Sequence, residues 1–255
     1  MIMVLRVVWI SANEFGFEIL KETISINDLE VVAIFTLGED SSTKMYDGIE
    51  TKKWYTFDLP VIEVKNINDH AHEIKKLNVD LIIMCGWRQI IHPELLNVTP
   101  KGIIGFHPTL LPKCRGPAPI INTILEGFQE SGVTMYYVSE GLDDGDIIGQ
   151  ESFLVGPDDY AIDIYKKITH CGKKLIAVYF PMLVQGSAPR VPQKTTDATY
   201  FPKRTIMDNK INLEDDSVDL IYRKIRAFSK PYKGAYIEKD NKKIIIWNAE
   251  IGDDI

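Results

Sequence analysis

Cysteine is scarce: Cys85, Cys114 and Cys171 are the only three in 255 residues, odd in number and far apart. That argues against a disulfide framework and points to free or buried thiols in a reducing cytoplasm. Positive charge is also in short supply. Lys and Arg number 29 against 36 Asp and Glu, for a formal charge of -7. A polyanion needs a clustered basic face to neutralise its phosphates, so a nucleic-acid partner is disfavoured. No uncharged apolar run is long enough to cross a bilayer, which disfavours a membrane protein. The opening MIMVLRVVWI is too short for a signal peptide, lacks a cleavage-type tail, and reads as a first strand. Internal repeats and low-complexity tracts are missing, as are a GxGxxG fingerprint and a Walker-type loop. A nicotinamide or flavin reading thereby loses its best support. Metal-ligand spacing is missing too. His70 and His72 stand two residues apart on a predicted helix and so face different ways, and His170 beside Cys171 has no further ligand nearby.

What is present is an ordinary globular composition, 45% apolar and 25% charged. The length suits one large domain with a sizeable core plus a smaller appendage. The first part alternates apolar runs with helical patterns. VLRVVWI (4–10), EVVAIFTL (30–37), LPVIEV (59–64), VDLIIMCG (79–86) and GIIGF (102–106) read as strands. EFGFEILKETI (14–24), NDHAHEIKKLN (68–78) and HPELL (92–96) read as helices between them. Continuous apolar strands separated by helices indicate an α/β fold, a Rossmann-like, mostly parallel sheet covered on both faces. Ligands of such sheets sit beyond the carboxyl ends of the strands, which puts the segments after Ile10, Cys85 and Phe106 on one rim.

Further on come a helix near 117–128, the strands GVTMYYV (132–138) and IIGQESFLV (147–155), and a long amphipathic helix from about Tyr160 to Leu183. The segment GSAPRVPQKTTDATYFPKRT (186–205) is rich in Pro, Thr and Lys and reads as a linker leaving a catalytic domain of residues 1–185. Residues 206–255 then make a small C-terminal α+β appendage, with a helix near 217–227 and two strands, GAYIEK and KKIIIWNA.

Two stretches carry candidate chemistry. His107 follows the apolar run KGIIGF and precedes a loop with four prolines, Pro108, Pro112, Pro117 and Pro119, each of which fixes φ. It is either a strand cap satisfied by nearby backbone, or an acid or base aimed into a crevice; the residues alone leave both open. EGLDDGDII (140–148) sets two adjacent aspartates in a glycine-bracketed loop, either a solvated turn or the partner of that ring. A carboxylate so placed can fix an imidazole's tautomer and stabilise its charged form. Free histidine titrates at about 6.5, which suits it to moving a proton at neutral pH. The two loops follow strands that can lie side by side in the sheet.

The run HPTLLPKCRGPAPI, then GVTMYYV, then GLDDGDII resembles the formyltransferase family that uses 10-formyltetrahydrofolate. That family's pattern is a histidine followed by a Ser/Thr-Leu-Leu-Pro loop and Arg-Gly, with an Asp-x-Gly-Asp-Ile loop further on. SANEFGFEIL resembles its first strand–helix turn and IIMCGWRQIIHPELL its folate-side segment. TYFPKRTIMDNKINLEDD with IRAFSKPYKGAYI resembles its linker and the start of its C-terminal piece, so the likeness runs over nearly the whole chain. It implies the formyltransferase fold and acyl transfer: a substrate amine attacks the formyl carbon carried by the folate, and an oxyanion forms. His107 and Asp143 match the catalytic histidine and aspartate, Asp144 falling at the variable position of Asp-x-Gly. An asparagine of the family, two residues before the histidine, falls on Gly105 here. That departure leaves the oxyanion to protonated His107, a backbone N–H or a bound water. The resemblance further implies that Cys85, Gly86 and Trp87, with Val138, Glu140, Gly141 and Leu142, line the pteridine. By the same token Thr109, Leu111, Pro112, Arg115 and Gly116 frame the entrance of the amine, and no metal takes part.

Family members formylate initiator tRNA, a purine-pathway ribonucleotide amine, or an amino group on a nucleotide-linked sugar. From Tyr200 onward the chain carries eleven Lys and Arg against ten Asp and Glu. The tRNA enzymes carry a longer C-terminal barrel with a basic face, so this neutral piece disfavours tRNA. The ribonucleotide enzymes lack the linker and appendage. The expected acceptor is thus a nucleotide-linked amino sugar, the alternatives being a tRNA-type enzyme or a non-catalytic binder of folate or nucleotide sugar. Which sugar, amine position and nucleotide is not written in the residues. The appendage is too small for a core of its own, and a free strand edge invites another chain. A two-fold homodimer is the expectation; packing against its own long helix is the alternative.

Overall fold

The computed structural model describes residues 4–252. Its strands are β1 (Leu5–Ser11), β2 (Leu29–Leu37), β3 (Val61–Val64), β4 (Leu81–Cys85), β5 (Ile103–His107), β6 (Glu130–Tyr137) and β7 (Ile147–Leu154), with the pair β8 (Ala235–Lys239) and β9 (Lys242–Ile246). The helices are α1 (Glu14–Thr23), α2 (Ala71–Lys76), α3 (Pro93–Leu96), α4 (Pro119–Leu125), α5 (Ala161–Gln185) and α6 (Val218–Phe228). The first seven strands form one sheet in the order β3-β2-β1-β4-β5-β6-β7. The pairings from β3 through to β5 are parallel, and β6 alone reverses direction, pairing antiparallel with both β5 and β7. The mostly parallel sheet read from the sequence is therefore present.

The apolar runs are continuous because helices cover both faces of the sheet. Along β1 only Arg6 is less than buried. Val7 and Trp9 join Leu81, Ile83, Ile104 and Phe106 in a core shared with α1, α4 and α5. The alternate residues Val8 and Ile10 join Phe35, Ile82 and Ile103 on the opposite face, against Ile74 of α2 and Leu95 of α3. Side chains alternate along a strand, so Gly105 and His107 share the second face with Ile103. The helix expected over 68–78 divides into a 3-10 turn, Ile67–His70, and the short α2.

α5 is the longest element. It buries Ile164, Ile168, Cys171, Leu175, Ile176 and Phe180 at helical spacing. Gly186, at φ 71, ends it in the left-handed conformation that glycine adopts without strain. The following segment does not simply lead away from the sheet. Val191 pairs with Ile147, and Tyr200 with Arg115. The appendage continues the same core, contributing Ile211, Ile225, Phe228, Tyr232 and Ala235 to the cluster around α5. Tyr165 of α5 meets the hydroxyl of Tyr232 at 3.0 Å, and Tyr160 exchanges bonds with both backbone groups of Ala249. Packing on the long helix is thus realised within one chain.

Candidate active site

His107 is the last residue of β5 and lies opposite Thr134 of β6. Its ring is buried and held from two sides. Nε2 lies 2.9 Å from the carbonyl oxygen of Cys114. A carbonyl can only accept, so Nε2 carries a proton and donates it. Nδ1 faces Oδ2 of Asp143 at 3.6 Å, with the two side chains 8% and 18% exposed.

Asp143 reaches this place by an indirect route. β6 runs against β5, and its last residue, Tyr137, stands opposite Ile104. That is three positions short of His107, or about 10 Å at the rise of a strand. The two strands do lie side by side, but the reversed direction of β6 starts its loop at the far end of β5, so residues 138–146 fold back to bring Asp143 to the ring. Three bonds hold Asp143 itself. Asp143 Oδ1 accepts from the Tyr136 hydroxyl at 2.8 Å, Oδ2 accepts from the Gly116 N–H at 2.9 Å, and the main-chain oxygen accepts from Gln193 Nε2 at 2.9 Å. Asp143 sits at φ 50, a left-handed conformation that aspartate tolerates better than most side chains.

The proline-bearing loop is braced from within. Thr109 donates to the Lys113 carbonyl at 3.0 Å, and Thr134 donates to the Thr109 carbonyl at 2.6 Å. Leu111 is buried, its N–H bonded to Thr134 and its carbonyl to Gln150. Arg115, expected at the acceptor's entrance, is only 3% exposed. Its guanidinium donates twice to Gln193 Oε1, at 3.1 and 2.7 Å, and once to the Tyr200 hydroxyl at 3.2 Å. Thr109 and Arg115 therefore spend their side chains, and Leu111 its main chain, on the framework of the loop. Pro112 is half-buried, and Gly116 turns its N–H to Asp143.

On the folate side the expected residues also separate. Cys85 is fully buried in the core under α1, and burial pushes its thiol well above the ordinary range, so only its main chain borders the rim. Gly86 adopts φ 61, and a Cβ there would lie 2.0 Å from the Asn13 amide. That amide needs the space, since it bonds to Asp47, which also takes Arg88. Trp87 is half-buried on the second face with Met84 and Val138. Its indole N–H is buried without a partner among the described residues. Glu140, Gly141 and Leu142 are exposed, Leu142 at 55%.

Tyr136 and Gln193 belong to this site and were not singled out in the sequence. The pairing of Tyr136 with Gly105 would have shown the first, but it exists only once the register of β5 and β6 is known. Gln193 lies in a stretch whose composition reads as a connection, and no local pattern marks it.

Residues 7–178 match the formyl transferase family, and residues 205–255 match the formyl transferase C-terminal domain. A sugar N-formyltransferase from a Shewanella species is 20% identical with a TM-score of 0.77, covering 98% of this chain and 100% of its own. A 4-N formyltransferase from Francisella tularensis is 22% identical with a TM-score of 0.77, covering 98% and 99%. An N-formyltransferase from Helicobacter canadensis, solved with folinic acid and dTDP-3-aminofucose, is 21% identical with a TM-score of 0.71, covering 95% and 86%. At these identities the likeness is one of fold. With its sheet order, its His107–Asp143 pair and a family match that spans both the sheet and the appendage, the chain belongs to the formyl transferase family.

Proposed function

We propose that the protein moves a formyl group from 10-formyltetrahydrofolate to the amine of a nucleotide-linked amino sugar, with His107 and Asp143 at the reacting centre. One observation carries the chemistry. The Nε2 proton of His107 is committed to the Cys114 carbonyl, so Nδ1 is the ring atom left to take up a proton, with Asp143 Oδ2 at 3.6 Å to balance the charge.

An attacking amine must shed a proton as its new C–N bond forms, and the departing amine must gain one. Nδ1 of His107 takes the first proton and returns it. Asp143, fixed by Tyr136 and Gly116, keeps the ring oriented during the exchange. The folate supplies the formyl carbon. The residues on the same face of the sheet fit such a donor: Met84, Trp87 and Val138 are half-buried and give apolar walls for a flat heterocycle.

Two observations support the acceptor. The Shewanella and Francisella enzymes align with this chain almost end to end, appendage included. The near-neutral C-terminal piece also lacks the basic surplus that tRNA binding requires. We place the protein in the cytoplasm as a homodimer paired through β9; its three free, buried cysteines fit a reducing compartment. The test is mass spectrometry of a panel of amino-sugar nucleotides after incubation with enzyme and 10-formyltetrahydrofolate. The gain of one formyl group identifies the acceptor. Formylation of methionyl-tRNA with no sugar modified would overturn the reading.

A further inference from the structure

Gly105 and Tyr136 face each other across the β5–β6 pairing and share one face of the sheet with His107. A Cβ on Gly105 would stand 3.2 Å from Cε1 and 3.4 Å from Cζ of the Tyr136 ring, and 3.1 Å from Val138 Cγ2. The ring thus fills the space that a side chain at position 105 would need. Its hydroxyl ends 2.8 Å from Asp143 Oδ1, while the other carboxylate oxygen serves His107 and Gly116. Burial, and then the neighbouring carboxylate, push the phenol well above its ordinary titration range, so it keeps its proton and donates.

We propose that Tyr136 is a positioning residue for formyl transfer: it grips Asp143 from the strand side, and the bare Gly105 exists to admit its ring. The proposal rests on the formyl-transfer reading. It also identifies the polar group that stands beside His107 in a chain with no side chain at position 105. Asp143 belongs to a loop folded back over a reversed strand, and its carboxylate has only one other protein donor, the Gly116 N–H, within hydrogen-bond distance among the described residues. Without the phenol, the Gly116 N–H alone holds the carboxylate, on the one oxygen that also faces Nδ1, and the group can swing about that single tether.

The experiment compares wild type, His107→Ala, Tyr136→Phe, Gly105→Asn and the double variant Gly105→Asn/Tyr136→Ala. Two readouts are taken: crystal structures of wild type and Tyr136→Phe, and steady-state formyl transfer. Tyr136→Phe keeps the ring and removes only the donor. We expect Asp143 Oδ2 to shift off Nδ1, and kcat to fall about tenfold to hundredfold while KM for both substrates stays within about threefold. Gly105→Asn alone clashes with the ring and loses activity, and removing the ring in the double variant restores part of it, a non-additivity that identifies direct contact. Asp143 unmoved in Tyr136→Phe, or a wild-type kcat in that variant, overturns the proposal. If wild type and His107→Ala are equally inactive, the formyl-transfer reading fails, and the crystal structures alone decide the role of Tyr136.

Discussion

His107 is useful because one of its nitrogens is already spent. The Cys114 carbonyl holds Nε2 at 2.9 Å, which leaves Nδ1 toward Asp143 as the atom proposed to carry the proton. A ring free to rotate would divide its time between tautomers and directions. Replacing either member therefore removes more than a contact. His107→Ala and Asp143→Ala should each lower turnover by roughly two orders of magnitude or more, the scale of losing a proton-transfer partner. Circular dichroism should show both variants folded. Turnover close to wild type in either one contradicts the assignment. The cysteines make the opposite case at this scale. Burial raises the thiols of Cys85, Cys114 and Cys171, so none of the three is a nucleophile in waiting.

Among the elements, the connection after α5 does the least expected thing. Its Gln193 joins both halves of the site. The side-chain amide donates to the Asp143 and Gly145 carbonyls at 2.9 and 2.7 Å, and its oxygen accepts both bonds from Arg115. One side chain thus ties the proline loop after β5 to the aspartate loop after β6. Gln193→Ala leaves the Arg115 guanidinium in place, almost fully buried, with the Tyr200 hydroxyl as its remaining side-chain partner. Losing such partners costs about 1–3 kcal/mol, visible as a lower thermal midpoint. Displacement of the proposed catalytic pair should also reduce kcat/KM by about tenfold or more. An unchanged kcat/KM in Gln193→Ala would show that the two loops hold their places without the connection.

For the whole molecule, the appendage poses the main question. It shares the core around α5, yet among the described residues β9 is paired on one side only and shows Ile244 at 53% and Ile245 at 48% exposure. An open edge with apolar side chains is a place for another chain to join. Pairing with the same edge of a second copy gives a closed two-fold dimer. Sedimentation of the full chain at micromolar concentration should show a dimer, and Ile244→Lys should shift it toward monomer while leaving formyl transfer per chain intact. A full chain that sediments as a monomer rules the dimer out.

Most of the fold was legible because strands buried on both faces must be apolar throughout, and helices between them must carry an apolar stripe. VLRVVWI and VDLIIMCG could hardly be anything else, and the motifs around His107 and Asp143 pointed to a proton-handling pair. The direction of β6 was not legible, since an apolar run carries no arrow. That direction decides that Asp143 arrives by a loop folded back over the sheet, and so needs Tyr136, Gly116 and Gln193 to hold it. Arg115 shows the same limit. The resemblance implied a place for it at the amine's entrance, and only the fold, by laying residues 191–201 against the loop, buries it as a brace. Local patterns determine which residues must leave water; contacts between segments far apart in the chain decide which polar groups meet there.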